Sequence, residues 1–501
     1  MLGILLAIVY TAVFIFLIRK LSFFHSEGIS RNAFTFAFIV KICFGLLFWA
    51  VYTYYTPYQN KADAFLYFDD GKVLYSALFN SPLDYIKLLL GINDASLAPY
   101  FEKTGYWYRE FNQGLYNETR TVIRFNAIVC LFSFGYFHVH TVFMCFVSFC
   151  GLAGIYKTFL PFLENKKREL FAVVFFLPSV LFWGSGVLKE GLILFGGGML
   201  IYHWFKIFKE GFSLKRFFLI LIFIAFLFIT KIYVLLILLP LLFAHAWIMK
   251  SSTKFVLIKY ISVIAIYLGA GLLLPNFDLP FMLMEKQRQS IYLSRGGTYL
   301  INEKAHRYVY IKPITKHRIV EIEGKAGYCK IRPGVPYLNW TIDNYLDTGI
   351  VTSSTDTTTY WVYYDQEVAG SKIDIPILFP NYWSLLKISP MAFFNSLVRP
   401  YIFESKNPLM LLSSFENMIV IFFILLCIFF FSKKINNFHV VIFCSAFVIM
   451  LFTLVGITTA IMGASVRYKM PALPFLFIAM LLILDKEKLL HKFPFLKKIM
   501  G

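Results

Sequence analysis

The sequence predicts an all-α polytopic membrane protein of about eleven transmembrane helices. Its N-terminus is expected outside and its C-terminus in the cytoplasm, with a mixed extracytoplasmic segment between the eighth and ninth spans. Three observations predict this. Of 501 residues, 59% are hydrophobic and only 15% charged, and the mean hydropathy is +0.68, too apolar for a soluble globular chain. Apolar runs of about 17 residues or more, enough to cross a bilayer, recur along the chain. The Lys and Arg residues behind the formal net charge of +20 gather in short clusters beside those runs. There they orient a membrane protein, and no nucleic-acid partner is expected.

The first run, residues 2–18, has no basic stretch before it and no small-residue cleavage site after it, so it reads as a retained span. Arg19, Lys20 and Arg31 place the next loop inside, and the second span covers 33–55. A first outer segment, 56–137, carries amphipathic helical stretches at Ala64–Leu78 and Pro82–Leu90 that suit a membrane surface. Spans follow at 138–160, 170–186, 190–207, 217–229, 232–249 and 260–275. Alternation puts three basic clusters inside: Lys166 to Arg168, Lys206 to Arg216, and Lys250 to Lys259. The short run 217–229 is separated from its successor by Thr230 and Lys231. One helix through Met249 would reverse the parity and throw the later clusters outside, so a hairpin is predicted. A second outer segment, 276–408, mixes strand-like runs (Tyr308–Ile311, Tyr360–Tyr364) with turn-rich stretches (Ser294–Gly297, Ser353–Thr359). Spans at 409–432, 438–461 and 469–484 complete the set, with Lys433 and Lys434 and a tail containing Lys486, Lys488, Lys492, Lys497 and Lys498 inside. The domain reading is therefore a transmembrane module 1–275, an extracytoplasmic loop or small mixed domain 276–408, and C-terminal helices with a basic tail 409–501. Cys329 is the one cysteine in the large hydrophilic region, which excludes a disulfide framework there, and no Cys/His spacing resembles a zinc site.

The outer face concentrates the candidate chemistry. Asp63, Tyr67, Asp69 and Asp70 follow the second span. Carboxylates beside aromatics at an interface can serve as a general base or hold a divalent cation, and they also read as solvated loop charges. Lys189 and Glu190 follow the glycines of a tight turn, where they form either an anion site at a helix N-terminus or a structural pair. Lys231 and Arg467 face the same side on helices distant in sequence. Together with Lys189 they would suit a phosphate or diphosphate headgroup, although each alone could snorkel to lipid. Glu416, about two turns into an apolar run, suggests a buried partner, with Arg399 the candidate. His138 and His140 read as interfacial residues.

Three motifs carry a resemblance: Ala-Asp-Ala-x-x-Tyr at Ala62–Tyr67, Pro-Ser-x-x-x-Trp-Gly-Ser-Gly-x-x-Lys-Glu at Pro178–Glu190, and Arg-Tyr-Lys-x-Pro-x-x-Pro-Phe at Arg467–Phe475. The chain resembles the GT-C multispanning glycosyltransferases, which use polyprenyl-phosphate sugars outside the cytoplasm, and related bacterial membrane proteins of polysaccharide assembly. The likeness covers roughly residues 1–275 and 390–485. It implies an enzyme of the cytoplasmic (inner) membrane that transfers a sugar from a polyprenyl-phosphate lipid donor to a glycan or lipid-linked acceptor in cell-envelope assembly. By the same resemblance Asp63 is the catalytic residue that activates or positions the acceptor, and Lys189, Lys231 and Arg467 are the candidates to hold the lipid phosphate. Tyr67, Asp69, Asp70, Glu190 and Arg399 are further substrate-binding candidates. Many members carry paired acids in the first outer loop, whereas Asp63 has no adjacent carboxylate, so the residues leave a divalent-cation cofactor open. A repeat-unit polymerase and a lipid-linked glycan flippase or transporter are the alternative functions.

Overall fold

The computed structural model describes residues 1–496 other than 27, 56–58, 60–61, 93, 108–117, 275–277, 303, 305, 314–318, 322–327, 340–347 and 353–357. Lys497, Lys498 and most of the stretch Ser353–Thr359 lie outside the described residues. The chain forms two compact units. The first comprises Met1–Tyr267, Met418–Leu451 and Met470–Gly501, and the second Leu268–Asn417 and Phe452–Lys469.

The helices are, in chain order, α1 (Leu2–Lys20), α2 (Arg31–Tyr54), α3 (Asp63–Asn80), α4 (Pro82–Leu90), α5 (Ala98–Phe101), α6 (Glu118–Ser133), α7 (Phe137–Phe159), α8 (Lys167–Phe175), α9 (Pro178–Trp183), α10 (Lys189–Glu210), α11 (Leu214–Thr230), α12 (Ile232–Lys250), α13 (Val256–Leu272), α14 (Leu279–Arg295), α15 (Tyr382–Val398), α16 (Pro408–Phe429), α17 (Phe438–Thr458), α18 (Met462–Lys469), α19 (Leu473–Ile483) and α20 (Lys486–Lys492). Among the described residues eight helical stretches are long and apolar enough to cross a membrane: α1, α2, α7 extended to Phe162, α10, α12, α16, α17 and the run Met462–Ile483. The chain is a multi-pass membrane protein. The predicted break is present: α11 ends at Thr230 and α12 begins at Ile232, on either side of Lys231, while the predicted span 260–275 overlaps α13, which ends at Leu272.

One predicted span is corrected. Residues 170–186 do not make a single helix but two short ones, α8 and α9. The cause is Pro178: the residue before a proline is driven out of the α region, and Leu177 sits extended at ψ 126°. A turn, 184–188, then leads into α10. A Cβ added at Gly45 of α2 would fall 3.2 Å from the Ser185 carbonyl oxygen, and one at Gly186 would fall 3.1 Å from the Phe48 ring. The turn therefore lies level with Gly45 to Phe48, about 9 to 14 Å short of the Tyr54 end of α2 at a rise of about 1.5 Å per residue. Irregular backbone at that depth must be satisfied inside the protein. Ser148 of α7 donates to the Gly184 carbonyl at 2.6 Å, and Leu188 N–H donates to Gly186 at 2.7 Å.

Beside this turn α7 and α10 press backbone to backbone. A Cβ on Gly198 would fall 2.1 Å from the Gly151 carbonyl oxygen, and one on Gly151 would fall 2.1 Å from that of Leu194. Small residues let spanning helices approach in this way. Gly198→Ala is expected to lower the thermal unfolding temperature in detergent, at an overpacking cost of about 1 to 3 kcal/mol. Gly197→Ala is expected to be neutral, because nothing lies within 4 Å of that Cβ.

The second unit holds a seven-stranded antiparallel sheet. Its strands are β1 (Gly297–Asn302), β2 (Arg307–Ile311), β3 (Ile319–Glu321), β4 (Tyr328–Ile331), β5 (Pro336–Asn339), β6 (Thr348–Thr352) and β7 (Tyr360–Gln366), in the order β3-β4-β7-β1-β2-β5-β6. Alternate residues face opposite ways. Leu300, Val309 and Ile311 build one small core with Cys329, Ile331 and Tyr360. Tyr299, Ile301 and Tyr310 pack on α14 and α15 through Met284, Tyr292, Ile388 and Ala392. Gln287 of α14 ties this layer together: its amide donates to Pro376 and Ile457 carbonyls, and its oxygen accepts from Leu378 N–H.

Candidate functional site

The first unit brings Lys189 and Lys231 together on a carboxylate that the sequence did not single out. α11 ends where Thr230 turns its hydroxyl back to the Phe226 carbonyl, and Lys231 N–H caps Leu227 at 2.7 Å. Thr121 of α6 donates to the Ile229 carbonyl at 2.6 Å, fixing the first turn of α6 against that break. Glu118, the first residue of α6, thereby lies between the lysines. Lys189 Nζ stands 2.9 Å from Oε1 and Lys231 Nζ 2.5 Å from Oε2. Both lysine side chains are buried, while 41% of the glutamate side chain stays accessible. Burial opposes ionisation of Glu118, but Lys231 and Lys189 override it and hold the carboxyl down at about 2. The three side chains together carry a net charge of +1.

A second line of contacts runs from this trio to Asp63. Lys189 Nζ sits 5.7 Å from the Tyr67 ring centroid, and that ring meets Tyr106 edge to face at 5.6 Å. The Tyr106 hydroxyl donates to Asp63 Oδ1 at 3.4 Å. Asp63 is the first residue of α3 and Tyr67 is one turn along it, so one helix face presents both.

Tyr106 is aimed by Asp70. The buried Asp70 carboxylate accepts from the backbone N–H groups of Gly105 (2.8 Å), Tyr106 (2.8 Å) and Trp107 (2.7 Å). Burial pushes its carboxyl up, against the three amides that pull it down. On the other side Arg120 Nε donates to the Trp107 carbonyl at 2.9 Å, and the Arg120 and Arg124 guanidiniums lie over the Trp107 ring. Asp70 is placed as an anchor for the loop, with its oxygens already occupied. Asp70→Ala leaves those buried amides without an acceptor. It is expected to cost about 3 kcal/mol and to speed hydrogen exchange at residues 105–107, read by mass spectrometry.

α3, α6 and α7 are also locked together. A Cβ at Gly71 would meet Asn126 at 2.5 Å, so α3 rides directly on α6. His140 is not interfacial, as its position at the start of a span suggested. It is fully buried, with Nδ1 2.7 Å from Asn126 Oδ1 and Nε2 2.6 Å from Ser133 Oγ. His138 lies 4.5 Å edge-on to Trp49.

Asp69 pairs with Lys72 at 2.8 Å on the exposed side of α3, and Glu190 is buried in the first turn of α10. Arg399 and Arg467 belong to the second unit. The expected Arg399–Glu416 pair is corrected: the Arg399 guanidinium binds Glu404, with Nε to Oε2 at 3.2 Å. Glu416 is buried. Among the described residues no three His, Cys, Asp or Glu side chains gather into a metal-binding group. The residues that sequence reasoning missed are Glu118, Tyr106 and Arg120. Arg120 and Arg124, one turn apart on an amphipathic stretch, were the available signal for this helix. No protein-family model, no curated protein and no solved structure matches the chain.

Proposed function

We propose that this protein is a membrane glycosyltransferase that moves a sugar from a polyprenyl-phosphate donor to an acceptor hydroxyl on the extracytoplasmic face of the cytoplasmic membrane. In this reading the chain crosses the bilayer about eleven times with its N-terminus outside. The observation that carries it is the Lys189–Glu118–Lys231 trio, joined through Tyr67 and Tyr106 to Asp63. Asp63 accepts the proton of the acceptor hydroxyl as its oxygen bonds to the sugar's anomeric carbon. The bond from that carbon to the phosphate oxygen breaks, its electron pair stays on the lipid phosphate, and the two ammonium groups stabilise the growing negative charge. The donor phosphate enters beside Glu118, the shared partner of the two buried lysines.

A transporter of lipid-linked glycans is the second reading, favoured by the broken path α8–α9–turn–α10. Interrupted spans whose helix N-termini meet an anion recur at transport sites. Purified protein in proteoliposomes with a polyprenyl-phosphate-linked labelled sugar separates the two. Transfer of label to an envelope acceptor with release of polyprenyl phosphate is expected. Movement of the intact lipid between leaflets with no covalent product would overturn the transferase.

A further inference from the structure

The second unit contains a helix that the count of spans leaves out. The buried side of α15 packs on the last turns of α17. Ile388 and Ala392 share a core with Ile457 and Ala460, and the Phe393 ring lies 6.3 Å from that of Phe452. A Cβ at Gly456 would fall 2.1 Å from the Ala392 carbonyl oxygen, so the missing side chain lets the two backbones touch. Ala392 against Gly456 and Phe393 against Phe452, with Ile388 in the core that holds Ile457 and Ala460, make the two helices antiparallel.

This packing fixes depth. α17 is one of the eight membrane-crossing helices, and Phe452 stands about 9 Å before its end at Thr458. The C-terminal half of α15 therefore descends beside α17 into the hydrocarbon region. A helix ending there leaves its last carbonyls without water, an arrangement tolerated only when the protein satisfies them. Lys469 Nζ donates to the Ser396 carbonyl at 2.7 Å, to Arg399 at 3.2 Å and to Asn417 Oδ1 at 3.0 Å. Asn417 Nδ2 in turn donates to the Pro400 carbonyl at 3.1 Å.

The opposite side of α15 is an apolar stripe. Trp383, Leu386, Met391 and Phe394 recur at helical spacing, and each is more than half exposed. Lys387 is the exposed cation among them, one turn from Trp383. Such a stripe on a water-facing helix would call for a protein partner, but the depth set by α17 identifies acyl chains instead.

We propose that α15 is a re-entrant half-helix whose Trp383–Phe394 face is immersed in one leaflet, with Trp383 at the headgroup level and Lys387 reaching back to the phosphates. Its exit at the deep end is held by Lys469 and Asn417. The inference needs only the membrane setting and is independent of the transferase reading.

The test uses the full chain in lipid nanodiscs, with Cys43→Ser removing the exposed native thiol. Spin labels are placed singly at Trp383→Cys, Met391→Cys and Phe394→Cys. Collision with oxygen is expected to exceed collision with a water-soluble nickel chelate several-fold at 391 and 394, with a lower ratio at 383. Equal access of both reagents at 391 and 394 would overturn the proposal. So would exclusion of both with spin–spin broadening, the signature of a second copy on this face. In cysteine-unmodified protein, acyl-chain-brominated lipids should quench a fluorescence component that Trp383→Phe removes. A wild-type signal indifferent to bromination would also refute the immersion.

Discussion

Asp63→Asn is expected to reduce glycan transfer by about 10²- to 10⁴-fold while leaving expression and thermal stability close to wild type. The substitution keeps the size and hydrogen-bonding reach of the side chain and removes its capacity to take a proton. Because Asp63 stands at the start of α3, separated from the lysines by the Tyr67 and Tyr106 rings, donor binding should survive. The loss should therefore fall on kcat, with the KM for the lipid donor little changed. Tyr106→Phe, which removes the hydroxyl reaching Asp63, should show a milder form of the same pattern. Full transfer by a well-expressed Asp63→Asn protein would remove Asp63 from the mechanism and leave the trio of charges needing another explanation.

Glu118→Gln should separate stability from affinity. Removing one member of a buried ion pair leaves its partner uncompensated, which costs about 3 to 5 kcal/mol when the site is dry. Here two buried ammonium groups lose one counter-ion, but water reaches the glutamate, so a loss of about 2 to 3 kcal/mol is expected. In the same variant the three side chains carry a net charge of +2, and the Glu118 carboxylate no longer competes with an incoming anion. The donor and the polyprenyl phosphate product should then bind about tenfold more tightly, product release should slow, and added inorganic phosphate should restore part of the lost melting temperature. The pH dependence carries the same signature. The Glu118 carboxyl is held at about 2 in the folded chain, against an ordinary value of 4.5. Its contribution is complete above about pH 4.5 and drains away as the pH falls towards 2. Wild-type melting temperature should fall over that window more steeply than that of Glu118→Gln. A variant as stable as wild type, with unchanged anion affinity, would contradict the proposed charge balance.

How much of this was legible in the sequence depends on the kind of signal. Long apolar helices such as α1, α2, α7 and α12 declare themselves, because burying about 20 residues in lipid leaves a compositional mark no local detail can hide. The helix break at Lys231 was legible for a different reason: Thr230 and Lys231 interrupt the apolar run, and a single helix through Met249 would have reversed the expected side of every later basic cluster. The break in 170–186 was not recovered, although Pro178 and the Gly184–Gly186 turn were visible, because summed hydropathy cannot distinguish one spanning helix from two short ones and a buried turn. α14 and α15 were hidden within a segment read as hydrophilic.

At the site, individual charges were legible and their pairing was not. Lys189 and Lys231 stood out because ammonium groups beside apolar runs are costly. Their shared partner Glu118 lies in the first outer segment, where a carboxylate is unremarkable, and only the docking of α6 on the α11 break gives it meaning. Arg399 likewise took its nearest neighbour in the chain, Glu404, over the more conspicuous Glu416.

The buried turn at 184–188 also constrains how the protein is made. Neither α8 nor α9 is long enough to be taken into the bilayer alone, and the carbonyl of Gly184 finds its donor on Ser148, in a helix synthesised earlier. Ribosomal order thus supplies α7 as a template before the broken segment emerges. A circular permutation that delivered α8 and α9 first would present the insertion machinery with a segment whose polar backbone has nowhere to go.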